Sequence, residues 1–337
     1  MQAIFYEGDR KIRAGDCTPV APQAGQVQIK VSHCGICGTD LHIYHGVMDN
    51  RVTFPQIMGH EVSGTVAVLG DGVEGLEIGE AVAVMPLDWC GTCPACEAGH
   101  SHICQNLKFL GIDTPGAFQS YWTVPAHTLH KLPATLPLTH GAMIEPLAVA
   151  CHDVRIGQVK ANEYVVVLGG GPIGILIALV AKQAGANVLV SEINPFRLKL
   201  AERLGLDSIN PAEQDLVAYV QNQTNTAGAD VVFEVTGIQA GASVMTELAR
   251  TRGRVVVVGI HGKPAEVALF HFFWKELQMF GARVYEGEDF AKAIELAAAG
   301  SIPLDQIITD IHPLTELEAG YKQMEGGGSV MKILLEA

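Results

Sequence analysis

The chain has 337 residues, 48% hydrophobic and 17% charged, with 36 acidic against 22 basic side chains. Its length and apolar content allow two domains with cores of their own. The acidic balance would repel a nucleic-acid backbone, no long uncharged apolar run offers a membrane span, and no signal peptide opens the chain; nucleic acid and membrane are therefore not expected partners, and the cytoplasm is the expected setting.

The first 145 or so residues read as short strands broken by glycine. "VQIKVSHC" alternates apolar and polar side chains, and "EVSGTVAVLG" and "GEAVAVMP" are further strand-like runs ending in turn residues. Between and after them lie three segments rich in metal-ligating side chains. "HCGICGTDLHIYHG" carries Cys37, Thr39, Asp40 and His42; "MGHEVSG" carries His60 and Glu61; "IEPLAVACHD" carries Glu145. One thiolate, one imidazole and one carboxylate can hold zinc and leave a coordination place for a water or an alcohol. Taken singly, each residue also suits a core, turn or helix-capping role.

"WCGTCPACEAGHSHIC" holds Cys90, Cys93, Cys96 and Cys104 in the spacing C-x2-C-x2-C-x7-C. Four soft ligands at short intervals suit a closed tetrahedral zinc that has no place for substrate. Disulfides and an iron–sulfur cluster are the alternatives; a reducing compartment weighs against the first. Gly91, Pro94 and Gly99 supply the turns a lobe folded around an ion requires. Cys17, Cys34 and Cys151 are expected as buried small hydrophobes.

Near residue 160 the pattern changes. "EYVVVLG", helix-like "PIGILIALVAKQAG", strand-like "NVLVSE", helix-like "PFRLKLAERLG", then "DVVFEVTG" and "GRVVVVGI" alternate strand and helix, which predicts a parallel doubly wound sheet. Gly169-x-Gly171-x-x-Gly174 follows the first of these strands and opens a helix with Pro172 and Ile173. In that setting the glycines permit a tight turn, close approach to a pyrophosphate and close helix–strand packing. Glu192 ends the next strand, where a carboxylate binds both adenosine ribose hydroxyls and repels a 2′-phosphate. NAD is therefore favoured over NADP, although nearby Arg197 could pair with a phosphate. Val258, Gly259 and Ile260, at the end of "GRVVVVGI", complete the expected cofactor residues. "DFAKAIELAAAG" predicts a helix and "VMKILLEA" a final strand.

Over essentially its whole length the chain resembles the zinc-dependent medium-chain dehydrogenases of the alcohol and polyol type: "CGICGTDLH", "GHEVSG", the cysteine lobe, "EPLAV" and "GGGPIG" occur in that family's order. The resemblance implies a GroES-like β-rich catalytic domain, residues 1–147 and 287–337 with a structural zinc lobe at 89–105, and an inserted doubly wound Rossmann domain, residues 148–286. It also implies two zinc ions per chain, one catalytic and one structural. By motif, Cys37 matches the thiolate ligand and His60 the imidazole ligand. Glu145 stands where alcohol dehydrogenases place a second cysteine and polyol dehydrogenases a glutamate. In that branch either Glu61 or Glu145 is the direct ligand. Thr39 and His42 match a proton relay, Asp40 the acid that orients the histidine, and Arg283 in "GARVYEG" an arginine facing substrate; a surface arginine is its alternative reading.

The implied activity is NAD-dependent interconversion of a secondary alcohol, a polyol or sugar-derived hydroxy acid, and its ketone. Threonine and butanediol oxidation belong to neighbouring branches. A redox-silent zinc protein with a structural or sensing role is the non-enzyme reading. The resemblance further implies a homodimer or homotetramer, with strand-like "ELQMFGARVY" as a joining edge.

Overall fold

Strand Gln26–Gly35 is the spine of the first half of the computed structural model, which describes residues 1–337. It pairs antiparallel with Glu61–Leu69, with Tyr121–Pro125 and, from the far end of the chain, with Lys332–Glu336. Ala81–Val84 and Leu129–Lys131 extend the sheet on one side, and Ile308–Pro313 closes it on the other. Apolar side chains drive the assembly: Val27, Ile29, Val31, Val62, Val66, Ile333, Leu334 and Leu335 are all buried. A smaller sheet forms around Gln2–Tyr6, and a two-stranded ladder joins Leu87–Asp88 to Lys108–Phe109 at the base of the cysteine lobe.

Gly35 lies opposite Glu61 in one register and Leu334 in the other. A Cβ at Gly35 would collide with the Glu61 carboxylate and would sit 3.0 Å from the Lys332 side chain. The missing side chain is what lets a charged pair occupy the middle of an otherwise apolar sheet.

A second sheet has six parallel strands in the order Asp207–Ile209, Asn187–Ser191, Tyr164–Leu168, Ala229–Glu234, Ala249–Val257, Gln278–Gly281. The order reverses direction between Tyr164–Leu168 and Ala229–Glu234, the switch point at which such sheets bind ligands outside their carboxyl ends. Val165, Val166 and Val167 are fully buried, as an apolar run in a sheet covered on both faces should be. Helix Pro172–Gln183 is buried from Gly174 through Ala181, which explains why it shows no polar face. Asn194 caps helix Pro195–Arg203, its side chain accepting from the amides of Phe196 at 2.9 Å and Arg197 at 3.2 Å.

The chain divides into two units: Met1–Glu145 with Glu286–Gly300 and Ile307–Ala337, and Pro146–Tyr285 with Ser301–Gln306. These divisions fall within two residues of the expected boundaries at 147/148 and 286/287, with residues 301–306 grouped in the second unit. No helix is long and apolar enough to cross a membrane. Cys34 and Cys151 are buried, whereas Cys17 is only partly so, since it follows the exposed edge strand Ile12–Asp16.

Candidate metal centre and dinucleotide site

Cys37 caps helix Gly38–Tyr44 at its N-terminus. Its sulfur accepts the Thr39 amide at 3.5 Å, and the Asp40 carboxylate reaches back to accept the Cys37 amide at 2.9 Å. This capping box fixes sulfur and carboxylate on one short turn. Asp40 is fully buried and its second oxygen lies 3.6 Å from His60 Nδ1. That leaves His60 Nε2 as the nitrogen available to an ion, the arrangement in which a carboxylate sets the orientation of a ligating imidazole. Phe109 packs edge-on against the ring, centroids 5.3 Å apart. Burial alone would lower the His60 pKa; the charge and hydrogen bonding of Asp40, with Cys37 adding to them, hold it well above its ordinary value.

Ligand atoms of Cys37, His60 and Glu61 all lie within 4.8 Å of one another. Sulfur, nitrogen and oxygen donors at that spacing fit a zinc ion with one open place. Of the buried polar atoms here, Asp40 Oδ1 and His60 Nδ1 are held only by their 3.6 Å approach to each other, which leaves Nε2 and the Cys37 sulfur as the donors turned toward an ion. Glu61 Oε2 is instead ion-paired with Lys332 Nζ, both side chains being almost wholly buried. Lys332 also donates to the Ile36 carbonyl at 3.0 Å. Burial would strip its proton, but Glu61 above all, with Cys37 and Glu145, raises its pKa. The sequence reading missed Lys332; a lone lysine inside the apolar run "VMKILLEA" was the available signal.

Glu145 does not join the three-atom group. It is buried in the first turn of helix Ile144–Ile156, and its charge is one of those that raise the Lys332 pKa. Thr39 is half-buried and His42 exposed on the same helix, three residues apart and therefore on one face. Arg283 belongs to the second unit, exposed on the segment after strand Gln278–Gly281.

The four lobe cysteines also cluster within 4.8 Å. Sulfur separations are 3.5 Å for Cys93–Cys96, 3.8 Å for Cys93–Cys104 and 3.4 Å for Cys90–Cys104. A disulfide needs about 2.0 Å; a tetrahedral zinc with bonds of about 2.3 Å spaces its sulfurs at about 3.8 Å. Backbone amides point at these sulfurs, Cys90 and Asn106 at Cys104 and Gln105 at Cys93, at 3.3 to 3.4 Å. Such donors favour thiolate, and hydrogen bonds led by the Thr92 amide push the Cys90 pKa down to about 5. Burial, with Cys93 and Cys104 beside it, pushes Cys96 up to about 12.

In the second unit the glycine loop has the form a dinucleotide requires. Gly169 has φ +102°, and a Cβ on Gly174 would collide with the Gly169 carbonyl. Gly171 is the N-cap and Pro172 the first residue of its helix, which leaves amides free at the helix start. Glu192 is held by three backbone donors: the Gly170 amide at 2.9 Å on one oxygen, Ile193 at 2.7 Å and Asn194 at 2.8 Å on the other. Arg197 Nη1 is 3.7 Å from that carboxylate. Val258 and Gly259 donate to the Glu234 carbonyl, and Ile260 stands exposed beside them.

A β-rich unit with a mixed sulfur, nitrogen and oxygen donor group and a four-cysteine lobe, joined in one chain to a doubly wound parallel sheet with a glycine-rich strand–helix turn, is the build of a zinc-type dehydrogenase. The chain belongs to the zinc-dependent medium-chain alcohol/polyol dehydrogenases: residues 23–134 match the alcohol dehydrogenase GroES-like domain and residues 172–299 the zinc-binding dehydrogenase domain. It is 56% identical over 336 residues to 2-dehydro-3-deoxy-L-galactonate 5-dehydrogenase of Pseudoalteromonas atlantica, covering 100% of this chain and 98% of that protein. Among solved structures it resembles a zinc-binding dehydrogenase of Sinorhizobium meliloti 1021 bound to NADP, with TM-score 0.92 and 32% identity over 100% of this chain and 99% of that one. An alcohol dehydrogenase of E. coli CFT073 complexed with NADH superposes with TM-score 0.93 at 30% identity, again covering 100% and 99% of the two chains.

The two thiolate sites should separate in mutants. Cys37→Ser is expected to abolish turnover while the melting temperature stays within about 2 °C of the parent. Cys93→Ser should lower the melting temperature by ~5 °C or more, because metal binding there contributes folding free energy. Calorimetry with metal analysis reads both; exchanged phenotypes would mean the roles are reversed.

Proposed function

We propose that the chain interconverts a secondary hydroxyl of a sugar-derived hydroxy acid and its ketone, with NAD as the hydride carrier and two zinc ions, one catalytic and one structural. The observation that carries this reading is the convergence of Cys37, His60 and Glu61 in a chain 56% identical, end to end, to a 2-dehydro-3-deoxy-L-galactonate 5-dehydrogenase.

When bound, zinc supplies a Lewis acid to the substrate oxygen and the dinucleotide accepts the hydride. Cys37, His60 and Glu61 would hold the ion, and Asp40 keeps the His60 ring in place. Lys332 competes for Glu61, so the acid has two partners between which to divide its charge. The Thr39 hydroxyl would accept the substrate's proton while handing its own to His42, and His42, being exposed, would release a proton to water. Glu145 tempers the local charge through Lys332. Gly169, Gly171, Pro172, Ile173 and Gly174 cradle the pyrophosphate, and Val258, Gly259 and Ile260 line the nicotinamide end. Arg283 is assigned to the substrate carboxylate or hydroxyls, a role suited to its forked donors.

Supplied with 2-dehydro-3-deoxy-L-galactonate, polyols, L-threonine and 2,3-butanediol, the protein is expected to reduce NAD with the sugar acid at least ~10-fold more efficiently than with the others, a gap of about 1.4 kcal/mol in transition-state binding. Turnover confined to threonine or short apolar alcohols, followed as NADH absorbance, would overturn the substrate assignment.

Preference for NAD rests on Glu192, whose buried, amide-bound carboxylate would face a 2′-phosphate. Glu192→Ala should lower kcat/KM for NAD by about tenfold and raise it for NADP, where Arg197 is then freed to pair with phosphate. An unchanged NAD to NADP ratio would remove Glu192 from the recognition of the ribose.

A second copy of the chain is the proposed partner of the exposed helix Leu269–Lys275. Leu269, Phe270, Phe273 and Trp274 are each more than 60% exposed there, next to Gln278–Gly281, the open edge of the six-stranded sheet. Edge-to-edge pairing about a two-fold axis would satisfy the free strand and cover the aromatics. Light scattering should give a dimer or tetramer, and Phe273→Asp with Trp274→Asp should shift it to monomer; a monomeric parent at micromolar concentration refutes the arrangement. The reduced thiols of both metal sites suit the cytoplasm.

A further inference from the structure

Glu234 ends the strand Ala229–Glu234 and is wholly buried, yet none of the chemistry above uses its carboxylate. Oε1 is saturated: it accepts the Thr236 amide at 2.9 Å, the Gly237 amide at 3.1 Å and the Thr236 hydroxyl. Oε2 has only a long contact of 3.3 Å to the Gly237 amide and one good partner, His261 Nε2 at 2.9 Å. Because a carboxylate only accepts, Nε2 carries the hydrogen.

These bonds join two loops. Residues 235–238 follow the strand Ala229–Glu234, and residues 258–262 follow its parallel neighbour Ala249–Val257, with Glu234 and Val257 side by side in register. The loops touch: a Cβ on Gly259 would strike the Gly237 amide, and one on Gly237 would come within 2.7 Å of the Ile260 carbonyl. The first loop also abuts the glycine loop, since a Cβ on Gly169 would meet Thr236 Cγ2 at 3.1 Å, and the Val235 amide bonds to the Leu168 carbonyl at 3.0 Å. One buried acid therefore ties two loops together at the carboxyl ends of adjacent strands, and the first of them abuts the glycine loop. Through its carbonyl the same residue holds the Val258 and Gly259 amides, both at 2.9 Å.

We propose that Glu234 and His261 form a positioning pair that fixes loop 258–262 against loop 235–238 and thereby sets the affinity for the dinucleotide. The proposal rests on the reading that this unit binds NAD. His261 is the element that makes the arrangement adjustable: it is the sole side chain reaching Oε2 from the second loop, and it is partly exposed, so replacing it disturbs little of the core. Without it, Oε2 is left with one poor donor in a buried site, and loop 258–262 loses its side-chain anchor.

The experiment uses the full-length, metal-replete protein. NADH fluorescence titration should give a dissociation constant raised about tenfold in His261→Ala, and returned to within about threefold of the parent in His261→Gln, whose amide nitrogen can stand where Nε2 does. KM for NAD should rise by the same factor, while the KM for the alcohol and the zinc content are unchanged and the melting temperature falls by no more than about 8 °C. Hydrogen exchange without cofactor should quicken at the amides of residues 236, 237, 258 and 259 in His261→Ala and stay constant at 165–168. A parent that binds neither NADH nor NADPH would defeat the dinucleotide reading itself. Binding by the parent with equal affinity in His261→Ala, or a loss that His261→Gln does not repair, would overturn the positioning pair alone.

Discussion

The ion pair between Glu61 and Lys332 is the constraint on which the metal-binding unit turns. It joins residues far apart in the chain across strand Gln26–Gly35, inside a sheet whose other buried side chains are uncharged and mostly apolar. Leaving either charge buried alone would cost about 3–5 kcal/mol. The two therefore have to be brought together, and Gly35 makes the space in which they meet. The same carboxylate lies within 4.8 Å of the donor atoms of Cys37 and His60, so one pair of oxygens faces both an internal cation and that donor set. The C-terminal strand thus completes both the sheet and the electrostatics of the centre.

Cysteine serves two purposes here, and the difference lies in what surrounds the sulfur. Cys37 sits at a helix N-terminus beside an imidazole and two buried carboxylates, a mixed set that leaves an ion unsaturated. In the lobe, four sulfurs at 3.4 to 3.8 Å enclose a single point and are supplied with amide donors from their own turns. The first set suits chemistry and the second suits a fixed shape, because only the first leaves a direction open to substrate.

Two acids in the dinucleotide unit show a similar division. Glu192 and Glu234 both end parallel strands, and both accept backbone amides. Glu192 keeps slight exposure and faces the glycine loop, where a ribose would lie. Glu234 is sealed beneath its loops, and its ligands are parts of the protein itself. A strand-end acid is thus a recognition group or an internal tie according to which side of the loops it occupies.

Much of this was legible in the residues. Valine runs ending in glycine marked the parallel strands, since a strand covered on both faces needs no polar alternation, and the spacing of the cysteines marked the lobe because short intervals leave little freedom for four sulfurs. The chain order of "CGICGTDLH", "GHEVSG" and "GGGPIG" fixed the family. Sequence alone left Glu61 and Glu145 equivalent, passed over Lys332, and gave His261 no role. Those matters depend on which side chains meet across strands distant in the chain, and on where burial leaves a charge with one partner. Local pattern determines the elements and supplies the ligands; long-range registration decides which of them share an ion, a proton or a loop.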